Sequence, residues 1–389
     1  MNKGIILGLF FTKGASLEMW LKSGLFDREK KIYERLIEGG YVGDILWFTY
    51  GVNDDVLARD LVRNKRLNEK IRVICMPKMY STKIMQWLYS FIILFVHFRI
   101  VKTIDILKTN QIYGAWAPLI IKLFLFKPLI VRCGYVPSES YNSYDNYRDT
   151  TLKHKFIRYL MRKVEFFAFK FSDLSVVSNQ IDFDYVRKNY KVDNIRINPS
   201  YVDESHFFSV KNAEIRNTKR ILYVGRLHDI KNIVNTIDGV IEAGFAIDIY
   251  GDGHLKDYIQ SNYKSLISEN LINLMGIVPN DELASLYRKY QFYILMSYKE
   301  GMSKTLIEAM TSGLVCIVSD IPQNTAIIVD GQTGLVVKGF ESSDIAKKLN
   351  TINTYNLEEI SKKTIRFAQD NYTLSKVCIN EVENINALL

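Results

Sequence analysis

The stretch from Tyr298 to Ser319, Tyr-Lys-Glu-Gly-Met-Ser-Lys-Thr-Leu-Ile-Glu-Ala-Met-Thr-Ser-Gly-Leu-Val-Cys-Ile-Val-Ser, constrains the chain more than any other. An apolar run, Phe292 to Met296, precedes it and reads as a buried strand, and Leu314 to Val318 reads as the next. Between them Leu306, Ile307 and Met310 are spaced for the inner face of a helix, which Gly313 is placed to end. Glu300 and Gly301 then fall on a strand-to-helix turn, with Met302, Ser303, Lys304 and Thr305 as the helix's first turn. Such a turn offers unpaired amides and the positive end of the helix dipole, a ready phosphate site. Gly301 removes a Cβ that would block close approach. Glu300 and Glu308 stand ~12 Å apart along this element at the helical rise, about the reach from a sugar across a diphosphate to a ribose. An ordinary βαβ turn with two solvated glutamates has the same spacing, and spacing alone leaves both readings open.

Glu-Gly-Met-Ser-Lys-Thr-Leu-Ile-Glu-Ala-Met resembles the Glu-x7-Glu motif of the family-4 retaining glycosyltransferases. The likeness runs on through Ser319-Asp320-Ile321-Pro322 to Asp330-Gly331-Gln332-Thr333-Gly334-Leu335-Val336. Lys304 departs from the family's usual leucine and adds a charge near the phosphates. A second segment, Gly225-Arg226-Leu227-His228-Asp229-Ile230-Lys231, resembles the family's Gly-Arg-Leu…Lys motif on a strand-end loop. Its guanidinium fork and ammonium can both reach a diphosphate.

The resemblance implies a GT-B fold: two doubly wound, Rossmann-like α/β domains facing across a cleft. It implies a nucleotide-diphosphate sugar donor, an acceptor hydroxyl, retention of configuration and no metal or other cofactor. Arg226 and Lys231 would neutralise the leaving diphosphate, Glu300 would grip the sugar hydroxyls and Glu308 the ribose. Gly225, Gly301, Met302, Ser303 and Thr305 would line the phosphates, with Val278 beside the base. On the first domain, Gly14 would meet the donor, and Ser16, Arg132, Tyr135 and Glu139 would lie on the acceptor side.

The 389 residues suffice for two domains with cores of their own. We place them at 1–205 and 206–372, with a linker near 205–218 and a final helix, 373–389, crossing back to the first. Residues 1–205 carry 32 basic and 21 acidic side chains, and 206–389 carry 19 and 21. The basic half points to an anionic partner: a membrane surface or a lipid-linked glycan acceptor, with nucleic acid as the rival. Lys83 to Ile100 is the most apolar stretch but falls short of the ~20 residues a spanning helix needs. It reads as a core helix, or as one dipping into the membrane interface. The basic, aromatic run Phe156 to Phe171 could lie on anionic lipid or be a plain amphipathic helix.

Met1-Asn2-Lys3 followed by Ile5 to Phe11 mimics a signal peptide, yet the apolar run is short and Lys13 interrupts it. A buried first strand is expected, followed by a loop to the helix-like run Asp27 to Glu38. Tyr141 to Thr151 reads as a polar loop over the cleft. Four scattered cysteines without a Cys-x-x-Cys pair imply a reduced, cytoplasmic chain, and the basic first half together with the resemblance implies one peripheral at the inner membrane face.

The five histidines show no metal-ligand spacing, and His254 reads as a solvated loop residue. Asp182-Phe183-Asp184 spells Asp-x-Asp, but it sits in a helix's first turn, where acids are favoured by the dipole. Gly251-Asp252-Gly253 lacks the third glycine of a dinucleotide fingerprint, which disfavours a dehydrogenase, and no Walker A sequence occurs. The rivals that remain are a nucleotide-sugar 2-epimerase of similar fold and a basic nucleic-acid-binding protein.

Overall fold

Short apolar runs followed by helices become parallel strands, because each helix returns the chain to the same end of the sheet. The computed structural model describes residues 4–139, 152–208 and 217–389. The signal-like Met1 to Lys3, nearly all of the 141–151 loop region and most of the expected linker lie outside the described residues.

The chain forms two units, residues 1–199 with 378–389, and residues 200–377. In the first, β1 (Ile6–Phe10), β2 (Asp44–Phe48), β3 (Ile71–Ile74), β4 (Ile106–Thr109), β5 (Leu129–Cys133), β6 (Leu174–Val177) and β7 (Ile195–Ile197) make one sheet. Its order is β3-β2-β1-β4-β5-β6-β7, and every pairing is parallel. In the second, β8 (Asn217–Val224), β9 (Ala246–Tyr250), β10 (Ile272–Gly276), β11 (Tyr290–Leu295), β12 (Val315–Ser319) and β13 (Leu335–Val337) run in the order β10-β9-β8-β11-β12-β13, again all parallel. Both sheets are doubly wound. Strand order reverses between β1 and β4 in one and between β8 and β11 in the other, the points where such sheets open a crevice at their carboxyl ends.

Several elements differ from the sequence reading. The expected continuous helix from Lys83 to Ile100 is Lys83–Val96, broken at His97, with a short helix Phe98–Val101 after it. A helix over Asn280–Tyr287 leads into β11, which begins at Tyr290. The loop from Thr12 continues into a short helix, Leu17–Lys22. Its start is held partly from a distance: the buried Asp54 carboxylate accepts the Leu17 amide at 2.7 Å. The units part at Pro199–Ser200, before the expected linker, because Val202 bonds backbone to backbone with Tyr372 and Leu374 of the second unit.

Asp182 accounts for its own acidity. Asn179 caps the helix Gln180–Tyr190 by accepting the Asp182 amide at 2.8 Å, and its side-chain amide donates to the Asp182 carboxylate at 2.9 Å.

The helix Leu374–Asn386 starts in the second unit and ends in the first. Within the first unit Glu381 pairs with Lys108 of β4, both 1% exposed, and also accepts the Asn198 amide at 3.0 Å. Burial works against the carboxylate, but Lys108, Arg132 and Asn198 together outweigh it and hold its pKa below the usual range. A buried ion pair adds little net stability, yet breaking one side strands a charge, at a cost of about 3–5 kcal/mol. Lys108→Ala is therefore expected to lower the melting temperature sharply, and the double substitution Lys108→Met with Glu381→Leu to lower it less than either single change. Thermal denaturation of Lys108→Ala, the two single changes and the double checks this.

Candidate functional site

The residues singled out by the two motifs occupy neighbouring strand ends. β8 and β11 pair directly, and the loops leaving them carry Gly225 to Lys231 and Ser297 to Ser303. Lys231 Nζ lies 2.5 Å from Glu300 Oε1, with 13% and 9% of the two side chains exposed. Ser297 Oγ donates to the same oxygen at 2.6 Å. The loops are also stitched elsewhere: the Tyr298 amide donates to the Ile230 carbonyl at 2.9 Å, and the Tyr298 hydroxyl donates to Asn232 Oδ1 at 2.8 Å. An ammonium has three N–H donors and the bond to Glu300 uses one. Lys231 is thus held in place while it keeps donors to offer an anion.

A third loop braces the first. The Leu227 amide donates to the Asp252 carbonyl and the Gly225 amide to the Tyr250 carbonyl, at 2.9 and 3.0 Å. A Cβ on Gly251 would stand 1.8 Å from the Gly225 carbonyl oxygen, and one on Gly253 2.3 Å from that of Leu227. The Gly-Asp-Gly triplet, uninformative as a fingerprint, is needed so that two backbones can touch.

Arg226 is exposed, and its carbonyl accepts the Tyr223 hydroxyl at 3.0 Å. Burial, and next the Glu300 carboxylate, push that phenol's pKa well up, while Arg226 pulls it down. The Arg226 and Glu300 charges therefore both act on one buried hydroxyl.

The helix after β11 spans Lys304–Thr311, so Met302 and Ser303 precede it instead of forming its first turn. Ser303 is its N-cap: its Oγ accepts the Leu306 amide at 3.4 Å and lies 3.1 Å from Thr305 Oγ1. Thr305 Oγ1 also meets the Tyr293 hydroxyl at 2.8 Å. Met302 Sδ accepts the Ser200 amide at 3.2 Å. Gly301 is partly buried and does not take a left-handed φ. Glu308 is 1% exposed, and its Oε2 accepts the Tyr287 hydroxyl at 3.1 Å. Val278, after β10, is partly buried against the core that holds the 304–311 helix.

Spacing along the chain missed one cluster. His254 Nε2 lies 3.1 Å from Asp229 Oδ2, and the rings of His228 and His254 meet edge-on at 4.5 Å. Ligand atoms of these three residues lie within 4.8 Å of one another, a grouping able to hold a metal ion. His254 is exposed on its loop, as expected, and the loops after β8 and β9 also bring it beside His228, 26 positions away in the sequence.

In the first unit, Ser16 caps the Leu17–Lys22 helix by accepting the Met19 amide at 3.0 Å. Gly14 has φ +83° and open space where a Cβ would stand, with Gln86 Oε1 nearest at 3.8 Å. Arg132 acts on the buried Lys108 and Glu381 pair, a structural duty that its expected acceptor-side role did not anticipate. Tyr135 is half-exposed, and its carbonyl accepts from Cys133; Glu139 is partly buried.

The fold has many relatives. Over 99% of both chains it matches sucrose-phosphate synthase from Thermosynechococcus elongatus (TM-score 0.75, 15% identity). It matches Anabaena Alr3699/HepE, solved in complex with UDP, over 99% of this chain and 100% of that one (TM-score 0.72, 14% identity). The architecture is GT-B, the two-domain Rossmann-like fold of glycosyltransferases.

Residues 205–370, nearly all of the second unit, match the family Glycosyl transferases group 1. Among curated relatives, an Escherichia coli UDP-Gal:alpha-D-GlcNAc-diphosphoundecaprenol alpha-1,3-galactosyltransferase is 24% identical over 60% of this chain and 61% of its own length. The GtfA subunit of a UDP-N-acetylglucosamine–peptide N-acetylglucosaminyltransferase from Streptococcus agalactiae is 30% identical over 38% of this chain. The match spans 31% of that subunit's length.

Gly251→Ala forces the two loops apart, and overpacking of this kind costs about 1–3 kcal/mol. Ser303→Ala removes the helix cap at about 1 kcal/mol. Chemical denaturation of the two variants is expected to rank them in that order.

Proposed function

We propose that this chain is a retaining, metal-independent glycosyltransferase. It moves a sugar from a nucleotide-diphosphate sugar to an acceptor hydroxyl, on a lipid-linked glycan in surface polysaccharide synthesis at the inner face of the membrane. The observation that carries the reading is the shielded Lys231–Glu300 pair at the β8–β11 strand reversal, next to the Ser303-capped helix and on the loop that carries Arg226. The match of residues 205–370 to Glycosyl transferases group 1 supports it. The lipid-linked acceptor draws support from the Escherichia coli relative's name and from the basic first half.

In this reading, bond breakage between the sugar and the diphosphate builds negative charge on the departing oxygens. Lys231, Arg226 and the first-turn amides of the 304–311 helix are poised to stabilise that charge. Glu300 both orients the Lys231 ammonium and offers its carboxylate to sugar hydroxyls; Glu308 would serve the ribose. Reaction on one face of the sugar lets the leaving phosphate take the acceptor's proton, so no separate base is required.

UDP or GDP without magnesium is expected to raise the melting temperature, and short DNA or RNA to leave it unchanged. The reverse pattern overturns the reading. Glu300→Ala and Lys231→Ala are each expected to cut transfer by ~10²–10³, the usual loss for one charge-stabilising group, with the fold retained by circular dichroism. Wild-type turnover in either variant removes the site assignment. Chelation with EDTA is expected to leave transfer unchanged. Activity lost on chelation and restored by a divalent cation would contradict metal independence and direct attention to His228, Asp229 and His254.

A further inference from the structure

Three helices of the first unit, Lys83–Val96, Trp116–Leu125 and Leu152–Phe171, present apolar side chains that their packing leaves uncovered. More than half of the exposed large apolar side chains among the described residues belong to these helices and the residues that end them. Phe126 is 89% exposed, Ile84 81%, Leu123 71%, and Phe95 and Phe156 62% each. Contiguous exposure on this scale is rare on a surface facing water alone and marks an interaction face.

The helices also enclose a hollow of about 480 Å³, walled by Phe91, Trp116, Leu119, Leu123, Val164 and Phe167. Lys122 is its one charged lining residue, and it is already paired with Asp173. The Trp116 ring stacks with Trp87 at 5.2 Å, and Phe95 meets Phe124 edge-on at 6.0 Å, so the rim is aromatic. Half-exposed Phe91, Phe167 and Phe171 line the hollow too, so it opens on the surface.

Charge selects the occupant. The three helices contain a single acidic residue, Glu165, and it is fully buried. There it accepts the Ser138 amide at 2.7 Å and the Ser138 hydroxyl at 2.5 Å. Arg162, Lys163 and Lys170 are exposed among the phenylalanines of the third helix, and Lys83 is exposed at the start of the first. A second copy of this chain would bring these cations against themselves. An anionic bilayer satisfies both halves of the face, since phosphates meet the lysines and arginines while aromatic rings and acyl chains mix below them. Among the described residues no helix is long and apolar enough to cross a membrane. The face therefore lies on the bilayer, with no described helix spanning it.

We propose that this face docks on an anionic bilayer and that the hollow between the helices receives an acyl chain of a bilayer phospholipid. The inference deepens the membrane-side reading of the acceptor and rests on it for its biological setting, while its test stands apart from transfer.

Trp87 and Trp116 report on the hollow directly; Trp20 and Trp47 are buried in the core beside β1 and β2. The full chain is mixed with vesicles of phosphatidylcholine alone, or of an equal mixture with phosphatidylglycerol, the acyl chains brominated or not. Flotation with the mixed vesicles, weak flotation with phosphatidylcholine, and quenching by brominated chains that disappears in W87F/W116F are the expected results. Phe95→Ser with Phe126→Ser, both exposed at the rim of this face, is expected to reduce the floated fraction about tenfold without lowering the melting temperature.

Equal flotation with both vesicle types, or flotation without quenching, overturns the proposal. So does quenching that requires a polyprenyl phosphate in the vesicle, because the hollow would then serve the acceptor's tail. A concentration-dependent dimer that the rim variant abolishes would assign the face to a second copy and likewise overturn it. Stabilisation by UDP or GDP that persists alongside such a result leaves the transferase reading standing.

Discussion

The ion pair between Lys231 and Glu300 is where the second unit's fold and its chemistry meet. Its members come from loops that are 69 residues apart in the chain yet leave adjacent strands. Neither charge is comfortable at its depth alone, because removing water from an ammonium or a carboxylate costs several kcal/mol unless a partner is close. The order β9-β8-β11-β12 supplies that partner, since the reversal between β8 and β11 puts their carboxyl ends side by side with no helix between. Ser297 and Tyr298 add bonds on either side, so the pair is held by backbone as well as by charge. An anion arriving there meets donors that are already aimed, which is the condition for electrostatic stabilisation without reorganisation.

The first unit uses buried charge for a different end. Lys108 and Glu381 sit at 1% exposure and fix the last helix against β4. Glu165 accepts two bonds from Ser138 and one from Tyr190, and burial still raises its pKa above the ordinary carboxylate range. These groups have little access to solvent and bond to partners inside the protein, which marks them as scaffolding. Lys231 and Glu300 keep 13% and 9% of their surface, and Arg226 is exposed. Partial exposure sets Lys231, Glu300 and Arg226 apart from the buried charged networks of the first unit.

Much of this was legible in the sequence, for reasons that differ by element. The strands and the 304–311 helix were legible because fully buried parallel strands read as continuous apolar runs and Gly313 marks a helix end. The motif residues followed from a short, local pattern. Three things were hidden because they are set by side chains that meet only once the chain has folded. The break at His97 comes with a hydrogen bond between the Tyr89 hydroxyl and its ring at 2.9 Å, inside the chain's most apolar stretch. The cluster of His228, Asp229 and His254 exists because β8 pairs with β9 and their loops touch through glycines. Arg132 was singled out because it stands near a strand end; its charge also acts on the buried Glu381, 249 positions away in the sequence, which no local pattern shows. A Ser303 placed one residue outside the helix instead of within it is the ordinary uncertainty of a helix boundary.

Net charge and site location part company in this molecule. The first 205 residues carry the whole excess of positive charge, while the two cations of the candidate phosphate site lie in the half whose total is slightly negative. Summed charge describes a long-range field, which is screened beyond about 8–10 Å at ordinary salt. A phosphate is captured by a few donors converging within hydrogen-bond reach. Arg162, Lys163 and Lys170 of the first unit are instead spread along one exposed, aromatic helix face. A spread of cations over an apolar face suits a wide anionic surface, whereas one cation fixed by a carboxylate, on a loop that carries a second, suits a single diphosphate. The same residue types thus serve two kinds of anion, and what separates them is whether neighbouring side chains hold the charge in one place.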